Sequence, residues 1–184
     1  MTSMTPVTRI ARVIPLLLIA FCACKPASRA KEAAALMREA NSLLAQSTES
    51  SRQWTSEYMK AFNPQNRTQF PANRESLRTS ADSVIKSLDE NSRISNEAIA
   101  KYEQATALIT DEKQRRGSTM IVSALKTSVE MCGLFKSQMQ LVSDEKVTDQ
   151  KTFNDRFNQI ATRIGEKSRE NKAQFEEGRR LLGM

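Results

Sequence analysis

From residue 28 onward the apolar positions of the chain recur every three or four residues, the spacing of helices that bury one face. The first seam runs Ala33, Met37, Ala40, Leu44, Ser47, Ser51, Trp54, Tyr58 and Ala61, and predicts a heptad-like helix from about Ser28 to Phe62. Asn63-Pro64 ends it. The stretch to Pro71 reads as a loop, because a residue before proline is pushed out of the helical region. A second seam, Leu77, Ala81, Val84, Leu88, Asn91, Ser95, Ala98, Tyr102, Ala105 and Ile109, predicts a helix from about Pro71 to Arg116. Its outer face carries acid-then-base pairs four apart: Asp82 with Lys86, Asp89 with Arg93, Glu97 with Lys101, Asp111 with Arg115 and Glu112 with Arg116. Each such pair adds ~0.2–0.5 kcal/mol. Gly117, after Lys113, Arg115 and Arg116, reads as a helix C-terminus or as a kink in a longer helix.

A third helix from about Ser118 to Val142 follows, with Ile121, Leu125, Ser128, Cys132, Phe135, Met139 and Val142 on one face. Ser143 to Val147 is a polar connection. Thr148 is then placed as N-cap, with Asp149 in the first turn of a fourth helix. That helix shows Phe153, Phe157, Ile160 and Ile164, then weaker apolar content to Leu181 and Leu182, so its last turns are expected to fray. At 1.5 Å per residue the four helices would measure roughly 50, 70, 37 and 50 Å. The expected fold is all-α, an elongated antiparallel bundle of three or four helices with the second as its spine.

The first 24 residues break this pattern. Arg9 and Arg12, with no acidic residue near them, precede an apolar run from Val13 to Ala23, the charged and hydrophobic regions of a signal peptide. The run contains Pro15 and is far shorter than the roughly 20 residues a spanning helix requires. It ends in Phe21-Cys22-Ala23-Cys24, which resembles the lipobox of bacterial lipoproteins, where a small residue precedes the cysteine that receives diacylglycerol. Ala23 fills the small position, whereas Phe21 stands where Leu is usual and Cys22 where a small aliphatic or hydroxyl residue is usual. The resemblance covers residues 1 to 24 alone. It implies a signal peptide over 1–23, lipidation of Cys24, and a single helical domain over 24–184 held to the bacterial cell envelope by its lipid. Lys25 after the cysteine implies the outer membrane where the host has one. The alternative is an ordinary cleaved signal, with Ser28 and Ala30 as its small residues.

Composition narrows the function. Good helix formers abound and no proline follows Pro71, which favours helix throughout the remainder. The chain has 28 basic and 21 acidic residues; without Arg9 and Arg12, which leave with the leader, 26 basic residues remain and the net charge is +5. Basic and acidic residues interleave, so the surface is that of a solvated, ion-paired protein and not a phosphate-binding stripe; no nucleic acid is expected as partner. Histidine is absent, which removes Ser-His-Asp, Cys-His and zinc-His arrangements. With Cys24 lipidated and Cys22 discarded, Cys132 has no partner for a disulfide and is expected as a small buried hydrophobe. No cofactor, metal or catalytic motif is expected, and the chain reads as non-enzymatic.

Two features remain as candidates. Trp54, Tyr58 and Phe62 recur every four residues, either as core or as an aromatic strip that contacts a protein partner. Trp54 is expected to be buried, and Phe62 more exposed, beside the Asn63-Pro64 break. The seams also turn polar at mid-length, at Ser47, Ser51, Asn91, Ser95 and Ser128, and antiparallel packing would bring these to one level. That layer is either the site of a small-molecule or stress-sensing bundle or the margin of a buried face defined by Ile85, Ile94 and Ile99. The leading expectation is a helical stalk or docking module that acts by being tethered. The sensing bundle is the alternative.

Overall fold

A computed structural model describes residues 26–183, so the leader, Cys24 and the expected cleavage point lie outside the described residues. Those residues form five helices and no strand: α1 (Pro26–Ala61), α2 (Pro64–Thr68), α3 (Arg74–Leu108), α4 (Glu112–Gln140) and α5 (Gln150–Leu182), with a 3-10 turn over Leu141–Ser143. The expected count of three or four is exceeded by α2, which occupies the predicted loop. Its signal stood in the sequence: Asn63 is the N-cap and accepts a hydrogen bond from the Asn66 amide, and Pro64 opens the helix where its missing N–H costs nothing.

The long helices form an antiparallel series in which α1 packs along α3, α3 along α4, and α4 along α5. Residue numbers fall along one helix as they rise along the next, as Ser47 with Ser95, Asn91 with Cys132 and Ser128 with Asn171 show. Helices α1, α3, α4 and α5 contain 36, 35, 29 and 33 residues. At 1.5 Å per residue they run about 54, 52, 44 and 50 Å, so no single helix stands out as a longer spine.

The reason is that the break after α3 falls earlier than predicted. Ile109 is extended while its N–H still closes the helix onto Ala105 and Thr106, and Asp111 caps α4 by accepting from the Gln114 amide. Gly117 therefore neither ends nor kinks a helix; it lies buried inside α4 against α5. Asp149, not Thr148, caps α5, accepting from both the amide and the hydroxyl of Thr152. The end of α5 does not fray. It continues to Leu182 with Gly178 and Leu181 buried, and Gly183 closes it at φ 73°, the left-handed cap that glycine adopts without strain.

Several of the predicted ion pairs along α3 are re-partnered, some between helices and some within α3. Asp89 meets Lys136 of α4, Lys101 meets Glu39 of α1 at 2.6 Å, and Arg93 holds Glu90 and Glu97. These pairs are largely solvated and contribute little each.

The apolar interior falls into two clusters. One gathers Trp54, Phe62, Phe70, Leu77, Leu88, Met139, Phe153 and Phe157 around the C-terminal end of α1. The other gathers Ala40, Ala98, Ile99, Tyr102, Ile121, Val122 and Leu125 around its N-terminal half.

Candidate functional site

Between the two clusters, the seam of α1 on α3 is polar. Ser47 and Ser95 share a hydrogen bond of 2.9 Å, and the Asn91 carboxamide donates to the Ser47 carbonyl at 2.6 Å and the Ser51 hydroxyl at 3.0 Å. On the α4 side the Cys132 thiol donates to Asn91 Oδ1 at 3.5 Å. Ser47, Asn91, Ser95 and Cys132 are all buried, so these positions are not the margin of the face. They lie inside it, together with Ile94 and Ile99.

The local reason is helical register. Positions 47 and 51 on α1, like 91 and 95 on α3, are one turn apart and share a face, so antiparallel packing sets two short polar segments against each other. Carboxamide and hydroxyl groups are costly to bury alone, and here each finds a partner. Burial pushes the Cys132 thiol above its ordinary pKa, which disfavours the reactive thiolate.

Ser128, expected in the same layer, belongs to a second polar seam between α4 and α5. Asn171 donates to its hydroxyl at 2.8 Å and to the Ala124 carbonyl at 2.6 Å, and one turn away Thr127 donates to Gln174 at 3.0 Å. A third polar chain crosses the aromatic cluster. The Tyr58 hydroxyl donates to Gln138 Oε1 at 3.0 Å, and Gln138 Nε2 donates to the Phe157 carbonyl at 2.9 Å. Gln138 is fully buried and was not among the sequence candidates; a lone glutamine near a helix C-terminus gives no periodic signal. Burial also raises the Tyr58 phenol above its usual range, so it stays a donor.

The three candidate contact rings meet in the core. Trp54 is 7% exposed and meets Phe135 edge-on at 4.8 Å, while Tyr58 is half-buried and lies between Phe135 and Phe157. Phe62, expected to be the more exposed, is buried at 4% and stacks over Phe157 at 6.1 Å. Its burial follows from α2, which folds back after Asn63 and carries Phe70 into the same cluster. Trp54 Nε1 is buried without a hydrogen-bond partner.

Among the described residues no three His, Cys, Asp or Glu side chains converge as a metal site, and no helix is long and apolar enough to cross a membrane. Comparison with protein-family models, curated proteins and solved structures finds no match, so the functional reading rests on this geometry.

Proposed function

We propose that the chain is a non-catalytic, envelope-tethered helical bundle that senses a small molecule or an envelope stress through the polar layer of α1 on α3. One observation carries the reading: a buried hydrogen-bonded layer of Ser47, Asn91 and Ser95, with Ser51 beside it and Cys132 beneath, separates the two apolar clusters along the seam. A fully satisfied buried network holds one register of two helices, and a half-satisfied one is worse than none. Breaking part of this network would favour separation of the two helices at this level, a bias that a sensor could use. The docking reading has less support. Met59 is the one large hydrophobic side chain exposed among the described residues, and Trp54 and Phe62 are occupied in packing.

In this reading the acyl chain on Cys24 holds the bundle at the membrane, and α1, beginning two residues later, is the first element to feel the tether. The test is hydrogen exchange of amides 44–54 and 88–98 under mild acid, raised osmolarity and a panel of small polar solutes. Sensing requires that at least one condition changes protection selectively at the layer, and that Asn91→Leu abolishes the selectivity. A uniform response along α1 and α3 would reject it. Tethering is tested separately: Cys24→Ser is expected to abolish lipid labelling and release the protein from membranes.

A further inference from the structure

The α1–α3 seam that contains the polar layer opens at its other end into a groove of about 350 Å³. Its walls come from three elements: Glu57, Lys60 and Ala61 of α1, Asn66 of α2, and Ser80, Ser83 and Val84 of α3. Opposite charges, hydroxyls and a small apolar floor thus meet in one place. We infer that this groove binds a small zwitterion, of the size of an amino acid or dipeptide, with its ammonium on Glu57 and its carboxylate on Lys60.

The charge arrangement is the first argument. Glu57 and Lys60 are three apart on one helix face, a spacing at which such residues commonly pair, yet neither takes part in an ion pair among the described residues. Glu57 instead accepts a long hydrogen bond of 3.4 Å from the Ser83 hydroxyl across the seam. A ligand that carries both charges satisfies both side chains together, whereas a simple anion or cation meets only one. The rim is also held in place. Asn66 donates to the carbonyls of Ala61 and Lys60, and Asn73 donates to the Asn66 carbonyl, so the α1 terminus, α2 and the start of α3 are fixed to one another.

The volume is the second argument. It lies at the low end of ligand sites and suits a compact polar molecule. The groove is open to solvent on one side, so its charge contacts are screened and a Kd on the order of 1 mM is expected. The inference deepens the sensing reading and rests on it for its role: a ligand spanning α1 and α3 at this level biases their approach at the polar layer along the same seam.

The experiment is a calorimetric and NMR titration of the full chain with L-alanyl-L-alanine, with propionate and ethylammonium as single-charge controls. Saturable binding of the dipeptide is expected, weakened at least tenfold by Glu57→Gln and by Lys60→Met, two exposed positions where folding is spared. No saturable shift, equal binding of propionate, or binding indifferent to both variants would each overturn the assignment. If the dipeptide binds as expected while exchange at residues 44–54 and 88–98 does not change, the site stands and its coupling to the polar layer falls; the sensing reading itself falls only if no condition changes protection there.

Discussion

The two halves of the bundle are built on different principles. Around the C-terminal end of α1, rings do the joining: Trp54 and Tyr58 on Phe135, Tyr58 and Phe62 on Phe157, and Phe70 stacked at 4.4 Å on Phe153. The contacts of Trp54, Tyr58 and Phe62 tie the end of α1 to α4 and α5, and Phe70, beyond α2, adds a tie to α5. Around the N-terminal half of α1 small residues sit among Ile99, Tyr102, Ile121 and Leu125 and set the closest helix approaches. Ala40 and Ala98 are fully buried, and Gly117 of α4 faces Gly178 of α5 so closely that a Cβ on either would stand about 3 Å from its neighbours. Large rings fill wide gaps between helices, whereas small residues let two backbones approach closely. The polar layer sits where one arrangement gives way to the other.

If that contrast is right, the largest losses come from removing rings. Trp54→Ala is expected to cost ~3–5 kcal/mol and to lower the midpoint of thermal or denaturant unfolding markedly. Trp54→Phe is the sharper probe of the same site. It keeps the packing and deletes an N–H that has no partner, so the loss should stay below about 1.5 kcal/mol. A Trp54→Ala protein as stable as the parent would dissolve the distinction and return the ring to the role of a contact strip.

At the boundary, Asn91→Ala removes the shared carboxamide and leaves the Ser47 carbonyl, the Ser51 hydroxyl and the Cys132 thiol to find other partners. A loss of ~1–3 kcal/mol in denaturant unfolding is expected. In the small-residue half, Gly178→Ala gains helix propensity of about 1 kcal/mol and meets Ile121 Cδ1 at 2.8 Å and the Gly117 carbonyl at 3.1 Å. Overpacking costs ~1–3 kcal/mol, for a net loss of about 0–2 kcal/mol. Gly165→Ala, with open space around its position on α5, should instead stabilise, and an equal effect of the two alanines would remove the close crossing from the account. The smallest effect is expected at the surface: Arg93→Ala, although it breaks contacts to Glu90 and Glu97, should change stability by about 0.5 kcal/mol or less.

Much of this was legible in the chain itself. Seams spaced by three and four place Leu77, Ala81, Val84, Leu88, Ala98, Tyr102 and Ala105 on one side of a helix, and all are buried. The polar positions 47, 51, 91 and 95 also stood out, because a seam that changes character is visible one helix at a time. Local caps were less clear. Asp111 and Asp149 compete with Gly117 and Thr148 as stop and start signals, and a one-residue choice of cap depends on which side chain reaches a free amide.

What only the tertiary structure decided is which faces meet. Periodicity assigns a residue to a side of its own helix and says nothing of the helix opposite, so it could not send Ser128 to Asn171 while sending Asn91 to Ser47 and Ser51. Nor could it place Gln138 between Tyr58 and the Phe157 carbonyl, since that bridge exists only where three helices converge. The same holds for Phe62: beside a proline break it looks exposed, and it is buried because α2 turns the chain back and α5 brings Phe157 beneath it. Local spacing is a property of one helix, but burial and hydrogen-bond partnership belong to the space between helices.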